Sequence, residues 1–292
     1  QGGGTAEGTK GQLTIKKTDE SGAVLTGAEF ELWDKNGHQV LRSGPVLSDG
    51  TLLFGQLPYG QYILKETKAP AGHTIASDLV AGRLVEINKD TSTTGSYLTI
   101  VNEESTVHFQ KTDEQGSGLH GAEFSLEKEV LGIWQLVNTG SKIVSNATGK
   151  VTIRGLEEGH YRVKEIKAPT QPKEYLLNPN YLEFDVVVDS SGSIPVVDAG
   201  SIVNYLGAAK LVKTSEKGVL LAGAVFELRR IKNANGGNVS EIIGANFVTD
   251  AQGEVAFNDL APGTYEVKEI KAPSGYLLNT KPVTFMIDKF AS

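Results

Sequence analysis

The chain has 292 residues, with 28 Lys+Arg against 35 Asp+Glu for a net charge of −7, and it contains 34 glycines, five histidines and no cysteine. The acidic balance, with no basic stripe carrying interleaved aromatics, excludes a nucleic-acid footprint, and the lack of cysteine excludes disulfide stapling and any thiol-derived crosslink. Scattered histidines leave little for a metal site, and without a run of 18 apolar residues or a secretory hydrophobic segment, a membrane contact or signal peptide is expected only outside this sequence.

Residues 1–11 (QGGGTAEGTKG) read as a Gly-rich linker or a remnant of expression. A strand follows in QLTIKKTD. Alternate side chains of a strand share one face, so Leu13, Ile15 and Lys17 point together while Lys16 points away. The turn cluster DESG leads to GAEFEL, with Phe30 as a core anchor, and SDGTLLFGQLPYGQY supplies a turn glycine and an apolar strand. In YILKETKAP, Tyr62, Leu64 and Glu66 fall on one face and Lys65 on the other. The strand in SYLTIVNEE then puts Leu98, Ile100 and Asn102 in register.

The order recurs. TVHFQKTD aligns Val107, Phe109 and Lys111; GAEFSL carries Phe124; YRVKEIKAP aligns Tyr161, Val163 and Glu165; and GSIVNY aligns Ile202 with Asn204. A third copy has Leu211 with Lys213, Phe226 in GAVFEL, and Tyr265, Val267 and Glu269 in YEVKEIKAP. Lys164 and Lys268, like Lys65, should face water. Each glutamate lies six residues after a glycine (60 to 66, 159 to 165, 263 to 269), a spacing that chance would not hold three times.

Equivalent lysines are 94 and 102 residues apart, so the chain divides into three domains of ordinary size, 12–105, 106–206 and 207–292. Short apolar runs punctuated by glycine, without a long 3.6-period stripe, make the class all-β. The junctions NEES and NYLGA leave few residues for swivelling, which predicts three tandem sandwiches in an elongated, semi-rigid rod. The third copy departs from the pattern. Ser215 replaces the aspartate seen as Asp19 and Asp113, and glutamate-to-asparagine spacings of 36 and 39 project its asparagine to about position 305–308. Domain 3 is therefore expected to lack its last strand, leaving Lys213 and Glu269 as an orphaned pair, with chain shortening as the plain explanation and a strand added by another molecule as the sharper one.

The combination K-T-D, G-A-x-F-x-L and G-x-Y-x-x-x-E-x-x-A-P, closed by a strand ending V-N, resembles the Cna B-type repeat of Gram-positive surface adhesins and pilins, and it covers the chain from Gln12 onward. The resemblance implies a transthyretin-like, reverse-immunoglobulin β-sandwich. It also implies an intramolecular Lys–Asn isopeptide bond assisted by the glutamate, through Lys17, Glu66 and Asn102 in domain 1 and Lys111, Glu165 and Asn204 in domain 2.

The residue types support that chemistry independently. Apolar burial disfavours an ammonium and a carboxylate alike, leaving an amine free to attack and a carboxyl able to polarise the carboxamide and move protons to departing ammonia. Fixed contact supplies the remainder, without a cofactor. The reaction occurs once per domain, so no enzymatic turnover is expected, and no Ser-His-Asp or paired-carboxylate pattern recurs to suggest a hydrolase.

The functional expectation is the structural stalk of a Gram-positive pilin, ancillary or basal, or of an adhesin, outside the cell and wall-anchored. Its partners would be other pilus or cell-wall proteins, joined with sortase as one route. The alternative is a set of adhesin domains that bind a host extracellular-matrix protein directly. Blander readings stand beside the sharp one. A lysine ending an apolar row can snorkel, or pair with the glutamate as a buried salt bridge. The sequons at Asn146 and Asn238, the DSSGS turn at Asp189, and Trp33 and Trp134 read as incidental, as a plain turn and as packing residues. Lys173, on an insertion of domain 2, is a weak candidate for sortase attachment.

Overall fold

The computed structural model describes residues 8–292. Domain 1 contains β1 (Lys10–Thr18), β2 (Glu29–Asp34), β3 (Val40–Pro45), β4 (Thr51–Pro58), β5 (Gly60–Lys68), the short helix α1 (Ser77–Ala81), β6 (Arg83–Ile87) and β7 (Leu98–Val101). Two sheets face each other, one ordered β4-β1-β7 and the other β3-β2-β5-β6. β1 takes in Lys10 and Gly11, which pair with Pro58 and Leu57, so the sheet begins inside the segment that composition assigns to the linker. Residues 1–7 of that expected linker lie outside the described residues.

Domain 2 repeats the plan with β8 (Thr106–Thr112), β9 (Glu123–Val130), β10 (Ile133–Leu136), β11 (Ile143–Val144), β12 (Lys150–Arg154), β13 (Gly159–Lys167), β14 (Tyr181–Val186) and β15 (Val197–Val203). Its sheets run β12-β8-β15 and β10-β9-β13-β14, with β11 also on β9. Domain 3 comprises β16 (Gly207–Val212), β17 (Val225–Lys232), β18 (Asn238–Val248), β19 (Glu254–Leu260), β20 (Gly263–Lys271) and β21 (Val283–Ile287). Its larger sheet is β18-β17-β20-β21, but the smaller one has only β16 and β19 among the described residues, so the strand equivalent to β7 and β15 is not represented.

Side-chain alternation dictates these sandwiches. In β1 and β8 every second residue is buried, and Phe30, Phe124 and Phe226 sit in three separate cores built from the inner faces. A recurring corner holds the central strand of each large sheet: the hydroxyls of Tyr62, Tyr161 and Tyr265 donate to the carbonyls of Pro58, Glu157 and Ala261 at 2.7, 2.8 and 2.6 Å. The total surface of 16464 Å² exceeds the roughly 12,000 Å² expected of a single globule of this mass, as three cores in series require.

The junctions are tied. Ser105 donates its backbone N–H to Gly72 and its hydroxyl to Leu156, Gly155 donates to Ser105, and Ala69 and Ile75 donate to Gly192 and to the Ser193 hydroxyl. Between domains 2 and 3, Arg230 reaches Glu174 at 2.8 Å, held in place by the Pro262 carbonyl of its own domain at 2.6 Å. Leu177 forms a parallel bridge to Phe290, donating to Lys289 and accepting from Ala291.

Candidate functional site

In domain 1, β1 and β7 are parallel neighbours, with Lys17 opposite Ile100. Lys17 is the last inward residue of β1, Asn102 is the inward residue just after β7, and Glu66 comes from β5 in the facing sheet. All three are buried, at 0, 1 and 2% exposure. Lys17 Nζ donates to the Ile100 carbonyl at 2.5 Å and to Thr18 at 3.2 Å, which holds the amine against the strand that carries the asparagine. Asn102 Nδ2 donates to Glu66 Oε1 at 3.0 Å and to the Thr74 carbonyl at 2.7 Å.

Domain 2 reproduces the arrangement, with Lys111 opposite Ile202 on parallel β8 and β15. Lys111 Nζ donates to the Ile202 carbonyl at 2.5 Å and lies 3.8 Å from Glu165 Oε2. Asn204 Nδ2 donates to Glu165 Oε1 at 2.7 Å and to Leu176 at 2.8 Å. Glu165 Oε1 also accepts the backbone N–H of Asn178 at 3.0 Å. That donor and the Thr74 and Leu176 carbonyls lie beyond the reach of side-chain patterning, because a backbone group leaves no mark of its own on a sequence. The signal was the recurrence of Tyr-Leu-Leu-Asn at Tyr175–Asn178 and Tyr276–Asn279.

A turn glycine aims each lysine. Lys17, Lys111 and Lys213 donate their backbone N–H groups to Gly50, Gly149 and Gly253 at 2.8, 2.7 and 2.7 Å. Those glycines have φ of 76, 82 and 69°, and a Cβ on Gly149 would collide with the Lys111 carbonyl oxygen.

The interior alters the acid–base balance of the groups. Burial pulls the Lys17 ammonium down to about 8 against the opposing charges of Glu66 and Asp19, and pulls Lys111 down to about 8 against Glu165. Burial raises Glu66 to about 7, although the Asn102 hydrogen bond and the Lys17 charge oppose it. Glu165 is raised for the same reason, against the Asn178 and Asn204 donors. Each triad keeps two buried oxygens without a hydrogen-bond partner, Glu66 Oε2 with Asn102 Oδ1 and Glu165 Oε2 with Asn204 Oδ1. Two acceptors cannot satisfy each other unless the carboxyl carries a proton.

In domain 3, Lys213 Nζ lies 3.1 Å from Glu269 Oε2, out of line for a hydrogen bond, and Asn279 N donates to Glu269 Oε1 at 3.0 Å as Asn178 does to Glu165. Lys173 approaches Asp259 of domain 3 at 3.8 Å. Asp189 caps its own turn through the N–H groups of Ser191 and Ser193. Trp33 lies under the Lys65 ammonium and Trp134 under the Arg162 guanidinium. No helix is long and apolar enough to cross a membrane, and no cluster of three potential metal ligands occurs among the described residues.

Fold and site together define a class: tandem two-sheet sandwiches, in the first two of which the first and last strands run parallel and bury a Lys-Glu-Asn constellation. The chain belongs to the SpaA prealbumin-like fold domain family, whose model matches three times, at residues 11–101, 105–200 and 207–291. The match bears out the transthyretin-like, Cna B-type resemblance and the all-β class. The chain is 26% identical over 293 residues to serine-aspartate repeat-containing protein D of Staphylococcus aureus strain Newman, covering 90% of this chain and 21% of that one, so it spans about a fifth of that relative's length. Similar solved structures include the Bacillus anthracis TIE protein (26% identity, 97% of this chain and 49% of that one, TM-score 0.48). A streptococcal ancillary pilin (18%, 96% and 95%, TM-score 0.38) and the major pilin SpaD of Corynebacterium diphtheriae (18%, 94% and 91%, TM-score 0.40) also resemble it.

Proposed function

We propose that this chain is a stalk segment of a Gram-positive cell-surface pilin or adhesin, standing outside the cell wall among other pilus or wall proteins, and that domains 1 and 2 reinforce themselves with Lys17–Asn102 and Lys111–Asn204 isopeptide bonds. The observation that carries the reading is the burial of an amine and a carboxamide on adjacent parallel strands, sharing one carboxyl. The three family matches, and the relative from Staphylococcus aureus, support the wider setting.

The neutral Lys17 Nζ attacks Asn102 Cγ while protonated Glu66 polarises the carboxamide; the Nζ–Cγ bond replaces Cγ–Nδ2, and Glu66 relays the amine proton to Nδ2, which leaves as ammonia. Holding the partners in contact contributes an effective molarity of about 10⁵–10⁸ M in well-oriented systems. Lys111, Glu165 and Asn204 act likewise, once each and with no cofactor. Intact mass spectrometry of the purified chain tests this directly. The expected mass is that of the sequence less two ammonia molecules, with Lys17→Ala and Lys111→Ala each restoring one; a mass equal to the sequence would overturn the reading.

A further inference from the structure

We propose that the coupling site of domain 1 is aimed by the domain that follows it: a single peptide group links Asn102 to Ser193 of domain 2, which makes Ser193 a positioning residue for the Lys17–Asn102 bond. The proposal rests on the Lys–Asn reading of domains 1 and 2.

The link is short. Asn102 Nδ2, the leaving nitrogen, donates to the Thr74 carbonyl at 2.7 Å, and the N–H of that same peptide group, on Ile75, donates to the Ser193 hydroxyl at 2.8 Å. A trans peptide is planar, with its C=O and N–H pointing opposite ways. Whatever turns the Ile75 N–H therefore turns the carbonyl that orients the carboxamide. Ile75 and Ser193 are each 7% exposed, so losing the hydroxyl leaves a buried donor unpaired. The hydroxyl is itself fixed: the Ser193 N–H donates to Asp189 Oδ1 at 3.2 Å, the Ser193 carbonyl accepts from Asp189 at 2.8 Å, and the adjoining Ile194 sits in the domain 2 core. The DSSGS turn, plain in sequence, also braces the strand that carries Glu66. Gly192 accepts from Ala69 at 2.9 Å and lies so close to the Thr67 backbone that an added Cβ would collide with the Thr67 carbonyl oxygen.

Domain 2 has the same relay with a different outer partner. Asn204 Nδ2 donates to the Leu176 carbonyl at 2.8 Å, and the N–H of that peptide group, on Leu177, donates to the Lys289 carbonyl of domain 3 at 2.7 Å. The next residue, Asn178, donates to Glu165 Oε1 at 3.0 Å. In both domains the residue whose carbonyl holds the leaving nitrogen is tied to the residue after the asparagine, Thr74 N to Glu103 O and Leu176 N to Tyr205 O, each at 2.9 Å. A misplacement of about 1 Å is enough to cost on the order of 100-fold in a positioned reaction. A domain therefore couples at full rate only with its neighbour folded and docked, and closure of domain 1 certifies its junction with domain 2.

Cell-free synthesis of the full chain, quenched in acidic denaturant at intervals, supplies the time course, and peptide mapping assigns each lost ammonia to Lys17–Asn102 or to Lys111–Asn204. Ser193→Ala should slow the first pair by on the order of tenfold or more while the second pair, in the domain that carries the substitution, keeps the wild-type rate and shows that domain 2 has folded. Ser193→Thr, which retains the hydroxyl, should restore the first pair. An unchanged Lys17–Asn102 rate in Ser193→Ala, slowing of both pairs together, or no recovery in Ser193→Thr would overturn the proposal. With both ammonia molecules lost from the wild-type chain, that failure is confined to the role of Ser193; with neither lost, the isopeptide reading fails and takes this proposal with it.

Discussion

The chemistry of each triad depends on a residue being ionised or neutral, so pH is the sharpest probe at this scale. In Asn102→Ala, which cannot form the first bond, Lys17 and Glu66 remain free to titrate. Glu66 is raised from 4.5 to about 7, so between those values the folded state holds a proton that the unfolded state has released, and stability falls as pH rises through that window. Lys17 is lowered from 10.5 to about 8; there the unfolded state holds the extra proton, and stability climbs again from about pH 8 to 10.5. Denaturant titrations of the variant across pH 4–11 should trace that trough, and a flat profile would contradict the assigned burial. Under the proposed bond, which would consume Lys17 as an amide, wild-type protein should lose the alkaline limb. By analogy with disulfides closing loops of similar length, each proposed bond would stabilise by about 4–5 kcal/mol. Lys17→Ala should therefore lower the domain 1 melting temperature by on the order of 20 °C.

Strands and turns decide whether those residues meet. Gly149→Ala forces a Cβ against the Lys111 carbonyl and a side chain into left-handed backbone, so coupling in domain 2 should become incomplete, visible as a second mass species one ammonia heavier. Gly116→Ala is the matched control. It has φ of 85°, but an added methyl there would meet nothing within 4 Å, so it should cost only about 1–2 kcal/mol and leave coupling complete. The central strands were legible because alternation is strict where one face is buried: Leu13, Ile15 and Lys17, or Tyr161, Val163 and Glu165, name the core face unaided. Peripheral elements were not. β3 and β18 lie at sheet edges with mixed exposure along their length, so no period emerges, and α1 is a single turn too short to carry a stripe. The site followed the same division. Its side chains declared themselves by facing inward, while Asn178 entered through its main chain.

Across the whole molecule, the proposed bonds reroute tension. Each joins the end of a first strand to the end of a last one, so 85 residues (102 − 17) in domain 1 and 93 (204 − 111) in domain 2 lie outside the path. Single-molecule pulling should show neither domain extending. Lys17→Ala should release a contour of about 280–310 Å from domain 1 alone. An equal event in the wild-type chain would show that the amide is missing. The junction contacts complete this line, since Asn102 is followed almost at once by Thr106 at the head of β8, and Asn204 by Gly207 at the head of β16.

The parallel pairing of β1 with β7, and of β8 with β15, has a further mechanical meaning. Two strands that point the same way put the entrance and the exit of these two sandwiches at opposite poles, and the proposed weld would sit at the exit pole. With those bonds in place, a pulled chain would behave as a single taut cord threaded through beads, with one strand per bead under strain. The remaining walls of each bead would then carry no weight, and their outer loops would be at liberty to be reshaped for contact with neighbours without thinning the cord.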